Sequence, residues 1–432
     1  LLLTYSRGGV LAAVLAIVIW LVLGSPRVES AAALLLGGGA GLGVAGWAFT
    51  RPGLTTDNAA HALRVHDGAW FGVVFVLGAA AVGALAYSVS LVEERRPLND
   101  ARRRLIGRVL LGVLVAAVTL GLVVLIAAAR PQAWYRDFTS QPTDTALQGG
   151  PQHLVNASSS SRWLWWKEAW RAWNGSPWRG TGAGSFELTH RMLRTNNIVV
   201  TEPHNVLLQF LTETGVVGFF FAFASIAAAT VGVVRRLRRR SEPAAVALAA
   251  LAAAYVLHGF VDFDWDFVAV TAPFLLSVGA LLGGAAVRDE PRVAWSPLPA
   301  VVAVVVGISL LTPWFAARKT DSARAAIADA RPLRAYRDAR DARSLNPLAL
   351  DPLLVQAEAL VQFGDFQAAR DLYVQAVRLQ PLNWQPWYYL GRFEEDQQDW
   401  TRALPPLERA VQLDPLNSIS SAELARAKSL AQ

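Results

Sequence analysis

The chain has 432 residues, 53% of them apolar and only 17% charged, with a formal net charge of +7 and no cysteine. Soluble domains average roughly a quarter charged residues, so the chain is short of charge; its apolar content excludes disorder, and the lack of cysteine excludes disulfide or cysteine–metal frameworks. The charge is also divided unevenly, with 13 Lys+Arg against 15 Asp+Glu in residues 321–432 and 27 against 18 before them.

A basic apolar half joined to a mildly acidic ordinary half reads as a membrane domain, 1–320, carrying a water-soluble domain, 321–432. Nucleic-acid binding is not expected, because the basic residues fall between apolar runs and not along one face. A spanning helix needs about 20 mostly apolar residues. Eight runs qualify: 8–24, 31–49, 69–91, 105–129, 206–234, 244–261, 267–287 and 298–316, of which glycine-rich 31–49 and short 244–261 are weakest. The sequence opens at Leu1 inside an apolar run, without Met or a basic leader, which reads as a missing natural N-terminus with further spans upstream.

Arginine-rich loops fix the orientation. Arg95, Arg96, Arg102, Arg103, Arg104 and Arg108 form one, and Arg235, Arg236, Arg238, Arg239 and Arg240 another, so both are placed in the cytoplasm. The start near Arg7, loop 50–68, the long loop 130–205, the turn 262–266 and everything beyond 317 then face outward. The expected arrangement is a multi-pass protein of the cytoplasmic (inner) membrane with its large loop and C-terminal domain extracytoplasmic.

The outward loop is rich in tryptophan. Trp163, Trp166, Trp170 and Trp173 fall on one helical stripe, which predicts a helix lying in the outer interface or, alternatively, one packed on other spans. Next comes Pro177-Trp178-Arg179-Gly180-Thr181-Gly182-Ala183-Gly184. Alternating glycines either present N–H groups to a phosphate or make a tight turn. Glu202-Pro203-His204-Asn205 follows, and Asp262, Asp264 and Asp266 alternate with aromatics in the last outward turn. If extended, that turn would point three carboxylates one way, toward a metal, an acceptor sugar or solvent. His258 is expected to be a satisfied core histidine, and Glu213 a buried structural carboxylate.

In the C-terminal half, Asn346-Pro347, Gln380-Pro381 and Asp414-Pro415 recur every 34 residues, as do Ala342, Ala376 and Ala410. A 34-residue period with small residues at helix crossings is the tetratricopeptide signature. It predicts an α-solenoid, with a degenerate leading repeat at 321–345 and a capping helix at 419–430. Such solenoids bind proteins or peptides, or serve as spacers.

Taken in order, Arg162 and Trp166, Pro177…Gly180-x-Gly182-x-Gly184-x-Phe186, and His204-Asn205…Leu208…Glu213-x-Gly215-x-x-Gly218 resemble the O-antigen ligase/polymerase family. Thr4-Tyr5-Ser6-Arg7-Gly8-Gly9 and His258-Gly259-Phe260-Val261-Asp262-Phe263 are similar to its other segments. The resemblance covers roughly residues 1–290. It implies an all-α, GT-C-like polytopic membrane glycosyltransferase that needs no metal or other cofactor. The reaction implied is glycan transfer from an undecaprenyl-diphosphate carrier to a hydroxyl of a glycan, lipid or protein, outside the cytoplasmic membrane.

The residues suit that chemistry. His204 can take the acceptor's proton near neutral pH. A diphosphate leaving group needs charge neutralisation, for which Arg7, Arg191 and Arg194 are the candidates, with Arg162 beside them. Arg7 is expensive at a span end without a purpose. Glu202 and Asp262 are placed at the substrate in supporting roles, with the Gly182 and Gly184 backbone. Polymerase and protein O-oligosaccharyltransferase are alternatives within the class. A polysaccharide transporter and a non-catalytic assembly scaffold are alternatives outside it.

Overall fold

The computed structural model describes residues 2–23, 28–95, 131–140, 158–239, 242–283 and 297–431, with scattered positions between 99 and 119. The expected span 105–129 falls mainly outside these residues. Every regular element among the described residues is helical, as the apolar runs and the 34-residue period predict. Two helices, His61–Ser88 and Val206–Arg239, are long and apolar enough to cross a membrane, and shorter apolar ones run over Arg7–Leu23, Leu34–Phe49, Pro243–His258 and Val268–Gly283. Phe220, Phe221, Leu275 and Leu276 are all exposed on these helices, a distribution that suits hydrocarbon better than water.

The chain divides into two compact units: residues 1–182 with 202–287, and residues 183–201 with 288–432. In the first unit, α1 (Arg7–Leu23) packs on α9 (Pro243–His258), and α2 (Val28–Phe49) on α4 (His61–Arg95), with α3 (Pro52–Thr55) between the last two in sequence. A short α5 (Pro131–Thr139) precedes α6 (Arg162–Gly175), which lies on α8 (Val206–Arg239). Helix α10 (Val268–Gly283) packs on α8 and α9.

Helix α8 is broken at Gly215, where φ is 65° and ψ −171°. The glycine-rich turn fits into that break. Val216 N donates to Pro177 O, Thr181 N to Thr212 O and Gly182 N to Glu213 O, each at 2.9 Å. A Cβ on Gly180 would lie 2.3 Å from the Glu213 carbonyl carbon, and one on Gly215 2.4 Å from that of Trp178. Two glycines are needed because two backbones touch here.

The second unit contains α7 (Phe186–Leu193), taken from the long loop, and the helices α11 (Leu298–Ala328), α12 (Pro332–Leu345), α13 (Asp351–Phe363), α14 (Phe366–Leu379), α15 (Trp384–Asp396), α16 (Trp400–Leu413) and α17 (Ser418–Leu430). The apolar run 298–316 and the leading half-repeat are one continuous helix, α11. The period appears in the caps. Asp365 and Asp399, 34 residues apart, accept from Ala368 N and Arg402 N, while Asn383 and Asn417 do the same for the following helices. The turns between paired helices place Ala330, Gly364 and Gln398, again 34 apart, at φ 53°, 79° and 58°. Small residues Ala357, Ala369 and Ala376 let Leu353, Leu372, Tyr373 and Phe393 close the core between repeats.

Candidate active site

The site is assembled in the first unit from four places: the start of α1, the start of α6, the residues before α8, and the α9–α10 connection. Helix α6 turns its Trp165, Glu168, Ala169 and Ala172 inward, and Thr212 Oγ1 of α8 donates to Ala169 O at 3.0 Å. The stripe of Trp163, Trp166, Trp170 and Trp173 therefore lies off the buried face; Phe138 covers Trp163 and Trp166, and Trp170 stays 50% exposed.

His204 stands two residues before α8 with φ 54°, a left-handed conformation rare for a residue with a side chain. Its ring lies between Trp165 and Phe263, with centroids 4.8 and 4.2 Å away. Nδ1 is 3.1 Å from the Glu202 carbonyl. A carbonyl only accepts, so Nδ1 carries the proton and Nε2 presents a lone pair. Burial pushes the His204 pKa below its ordinary value, and Arg162 adds to the effect; the bond to Glu202 O and the charge of Asp262 oppose it. The ring is neutral at neutral pH, as a base must be.

The backbone on the far side is tied to the α9–α10 connection. Val206 N donates to Gly259 O at 2.8 Å, and Asn205 Nδ2 to Phe260 O at 2.8 Å, while Asn205 Oδ1 caps α8 through Leu208 N. That connection is a 3₁₀ turn at Asp264–Asp266, not the extended segment the alternation suggests. Its carboxylates separate accordingly. Asp262 Oδ2 is 3.5 Å from Arg162 Nη2 and 3.9 Å from His258 Nε2. Asp264 pairs closely with His258 Nδ1. Asp266 takes Gln209 Nε2 at 3.2 Å.

Arg7 reaches the same neighbourhood. Its guanidinium donates to Ser158 O and feels the charge of Arg162, while the adjacent Gly8 leaves a Cβ only 3.1 Å from His258 Nε2. Among the described residues, Arg162 Nε and Trp165 Nε1 are buried donors with no acceptor. Arg7, Arg162, Glu202, His204 and Asp262 are thus brought together, and His258 and Trp165 join them. Gly182 has its N–H on the Glu213 carbonyl. Gly184, Arg191 and Arg194 belong to the second unit, where Gly184 is a turn residue at φ 68° and both arginines bond to Asp414.

A family model described as O-antigen ligase matches residues 63–223, and one described as tetratricopeptide repeat matches residues 354–418. The chain carries an O-antigen ligase domain and C-terminal tetratricopeptide repeats. Among solved structures, the tetratricopeptide-repeat domain of Arabidopsis OM64 is similar at 18% identity, covering 27% of this chain and 98% of that one, with a TM-score of 0.25. No curated protein matches the chain. The matched part of the ligase domain contains Arg162, Glu202 and His204, whereas Arg7, His258 and Asp262 lie outside it. Sequence reasoning passed over Trp165, which sits off the tryptophan stripe, and treated His258 as core. The signal for His258 was its spacing of four from Asp262 across a helix end, where Gly259 stops α9.

Proposed function

We propose that this protein transfers a glycan from a polyprenyl-diphosphate donor to an acceptor hydroxyl on the outer face of the cytoplasmic membrane, with His204 as general base. The observation that carries the reading is the His204 ring: held by Glu202 O, its pKa lowered by burial, and within reach of the charge of Arg162, which Arg7 also feels. In the transfer, Nε2 takes the acceptor's O–H proton as that oxygen bonds to the anomeric carbon. The bond from that carbon to the diphosphate breaks, and the diphosphate leaves with the electron pair. Direct displacement inverts the anomeric centre. Arg7 and Arg162 neutralise the departing charge, and buried Arg162 Nε has no acceptor among the described residues. Asp262 orients Arg162, and His258 braced by Asp264 orients Asp262. Arg191 and Arg194, engaged by Asp414, are given no part in holding the diphosphate.

The test is full-length protein with a lipid-linked donor, comparing wild type with His204→Gln, Arg7→Ala and Arg162→Ala. Loss of glycan transfer with retained expression supports the assignment, and normal transfer by His204→Gln overturns it. The product identifies the acceptor: a second glycan unit means polymerase, a lipid core or a protein side chain means ligase or protein glycosylation.

A further inference from the structure

Residues 183–201 interrupt the ligase domain in sequence, yet they belong to the compact unit built by the repeats. Their anchor is Asp414, which is fully buried. Its Oδ2 accepts from Arg191 Nη1 at 2.9 Å, and its Oδ1 from Arg194 Nε at 3.1 Å and Nη2 at 2.5 Å. Arg191 is further steadied by Glu187 at 2.7 Å and by the Trp384 ring, 5.8 Å from its guanidinium carbon. The segment is also stiff within itself: buried His190 bonds through Nε2 to Ile198 O at 3.0 Å, and Ile198 N donates to Asn196 Oδ1 at 3.0 Å.

The repeat itself does not require this acid. The equivalent positions 34 and 68 residues earlier are Gln380 and Asn346, both neutral, and only the third, facing two guanidiniums, is a carboxylate. A fully buried carboxylate is retained where partners compensate its charge, so the partner here is the loop. Downstream, three residues separate Ile198 from Glu202, whose carbonyl holds His204. His204 occupies a left-handed conformation that must be imposed from both sides. On its C-terminal side, Val206 and Asn205 are bonded to Gly259 and Phe260. On its N-terminal side come buried Pro203 and then the anchored segment.

We infer that the partner of the repeats is the ligase domain's own outward loop, and that Asp414 is a positioning residue acting on His204 through residues 183–201. This inference rests on the catalytic reading of His204. An acidic side chain on the last repeat is then matched to the two arginines at the end of α7.

The experiment compares Asp414→Asn, Arg191→Gln/Arg194→Gln and the triple variant with His204→Gln, all in the full-length chain with a lipid-linked donor. The arginine variant leaves Asp414 buried without its partners, which is costly in itself, so the triple variant, which removes both sides of the contact at once, keeps the test standing if either change alone unfolds the solenoid. Expected are a fall in kcat of roughly tenfold or more, as displaced catalytic groups give, and a donor KM within about twofold of wild type. The triple variant should be no worse than the weaker of the other two. The acid limb of the pH–rate profile should move up as His204 loses its enclosed setting, a change that weakened repeats alone would not produce. Hydrogen exchange in 183–201 should rise. Wild-type kcat and pH profile in the arginine variant, or unchanged exchange there, overturns the inference. If His204→Gln is inactive at the same time, the catalytic reading survives; if His204→Gln is active, both fall.

Discussion

Gly215→Ala tests whether the ligase domain depends on the fit between its glycine-rich turn and the broken α8. At φ 65° and ψ −171° the residue lies in a region open essentially to glycine alone, which costs a substituted residue about 1–3 kcal/mol. The added Cβ would also lie 2.4 Å from the Trp178 carbonyl and 2.6 Å from Arg179 N, both backbone atoms that cannot step aside. Relief requires the turn to withdraw, breaking the bonds at Val216 N, Thr181 N and Gly182 N, each worth about 1 kcal/mol net. The two terms together come to about 4–6 kcal/mol. For a domain of this size that is a fall in Tm of roughly 10 °C or more, measurable by thermal unfolding in nanodiscs. Gly279→Ala is the control, since a Cβ there meets nothing within 4 Å among the described residues and a helical glycine replaced by alanine gains up to about 1 kcal/mol. Equal melting temperatures for the two variants would refute the reasoning.

His204→Gln should lower the transfer rate by about 10²–10⁴, the usual contribution of a general base, read as product formed from lipid-linked donor. Because burial holds the His204 pKa below 6.5, the unfolded chain binds the proton first as the solution is acidified. Stability contributed by the neutral ring is therefore complete above 6.5 and falls as pH drops through the folded value, and thermal melts of His204→Gln should lose that component. Ala330→Gly and Gln398→Gly relieve left-handed residues in the repeat turns; each should stabilise the repeats by about 0.5–1 kcal/mol in denaturant titration, and a loss of stability would contradict the turn geometry. In the repeats, burial raises Glu395 from 4.5 to about 7, with Glu423 beside it adding to the shift. The stability this provides is complete below 4.5 and disappears as pH rises through about 7. Glu395→Gln should therefore melt higher than wild type at pH 8, and an unchanged difference between pH 4 and pH 8 would contradict the assignment.

What could be read in the sequence divides along local and non-local lines. The solenoid was legible because a period of 34 repeats the same local demands: an acid or amide at each cap, a left-handed turn, a small residue at each crossing. The apolar runs were legible for the same reason, since burial in hydrocarbon is written residue by residue. The alternation of Asp262, Asp264 and Asp266 misled, because a segment this short between α9 and α10 is bent by its ends. Asp266 N bonds to Phe263 O and Phe267 N to Asp264 O, and the resulting 3₁₀ turn sends each carboxylate to a different partner. Likewise the tryptophan stripe drew attention to the face of α6 that is not buried, while Trp165, on the other face, is the ring that packs against His204.

The two arginines at the end of α7 show where the limit lies. Arg191 and Arg194 share a helix end in the long loop before α8, and in isolation nothing distinguishes guanidiniums meant for phosphate from guanidiniums meant for carboxylate, since both ligands present the same paired oxygens. What decides is the residue they meet, and Asp414 is more than 200 positions away. The repeat period hides it further, because an Asp before Pro415 looks like one more member of the series Asn346, Gln380, Asp414. Its charge stands out only when the slot is compared with its own repeats and a buried carboxylate is required to have a partner. In a repeat protein, the conserved-looking slot gives the scaffold, and the departure from it gives the contact.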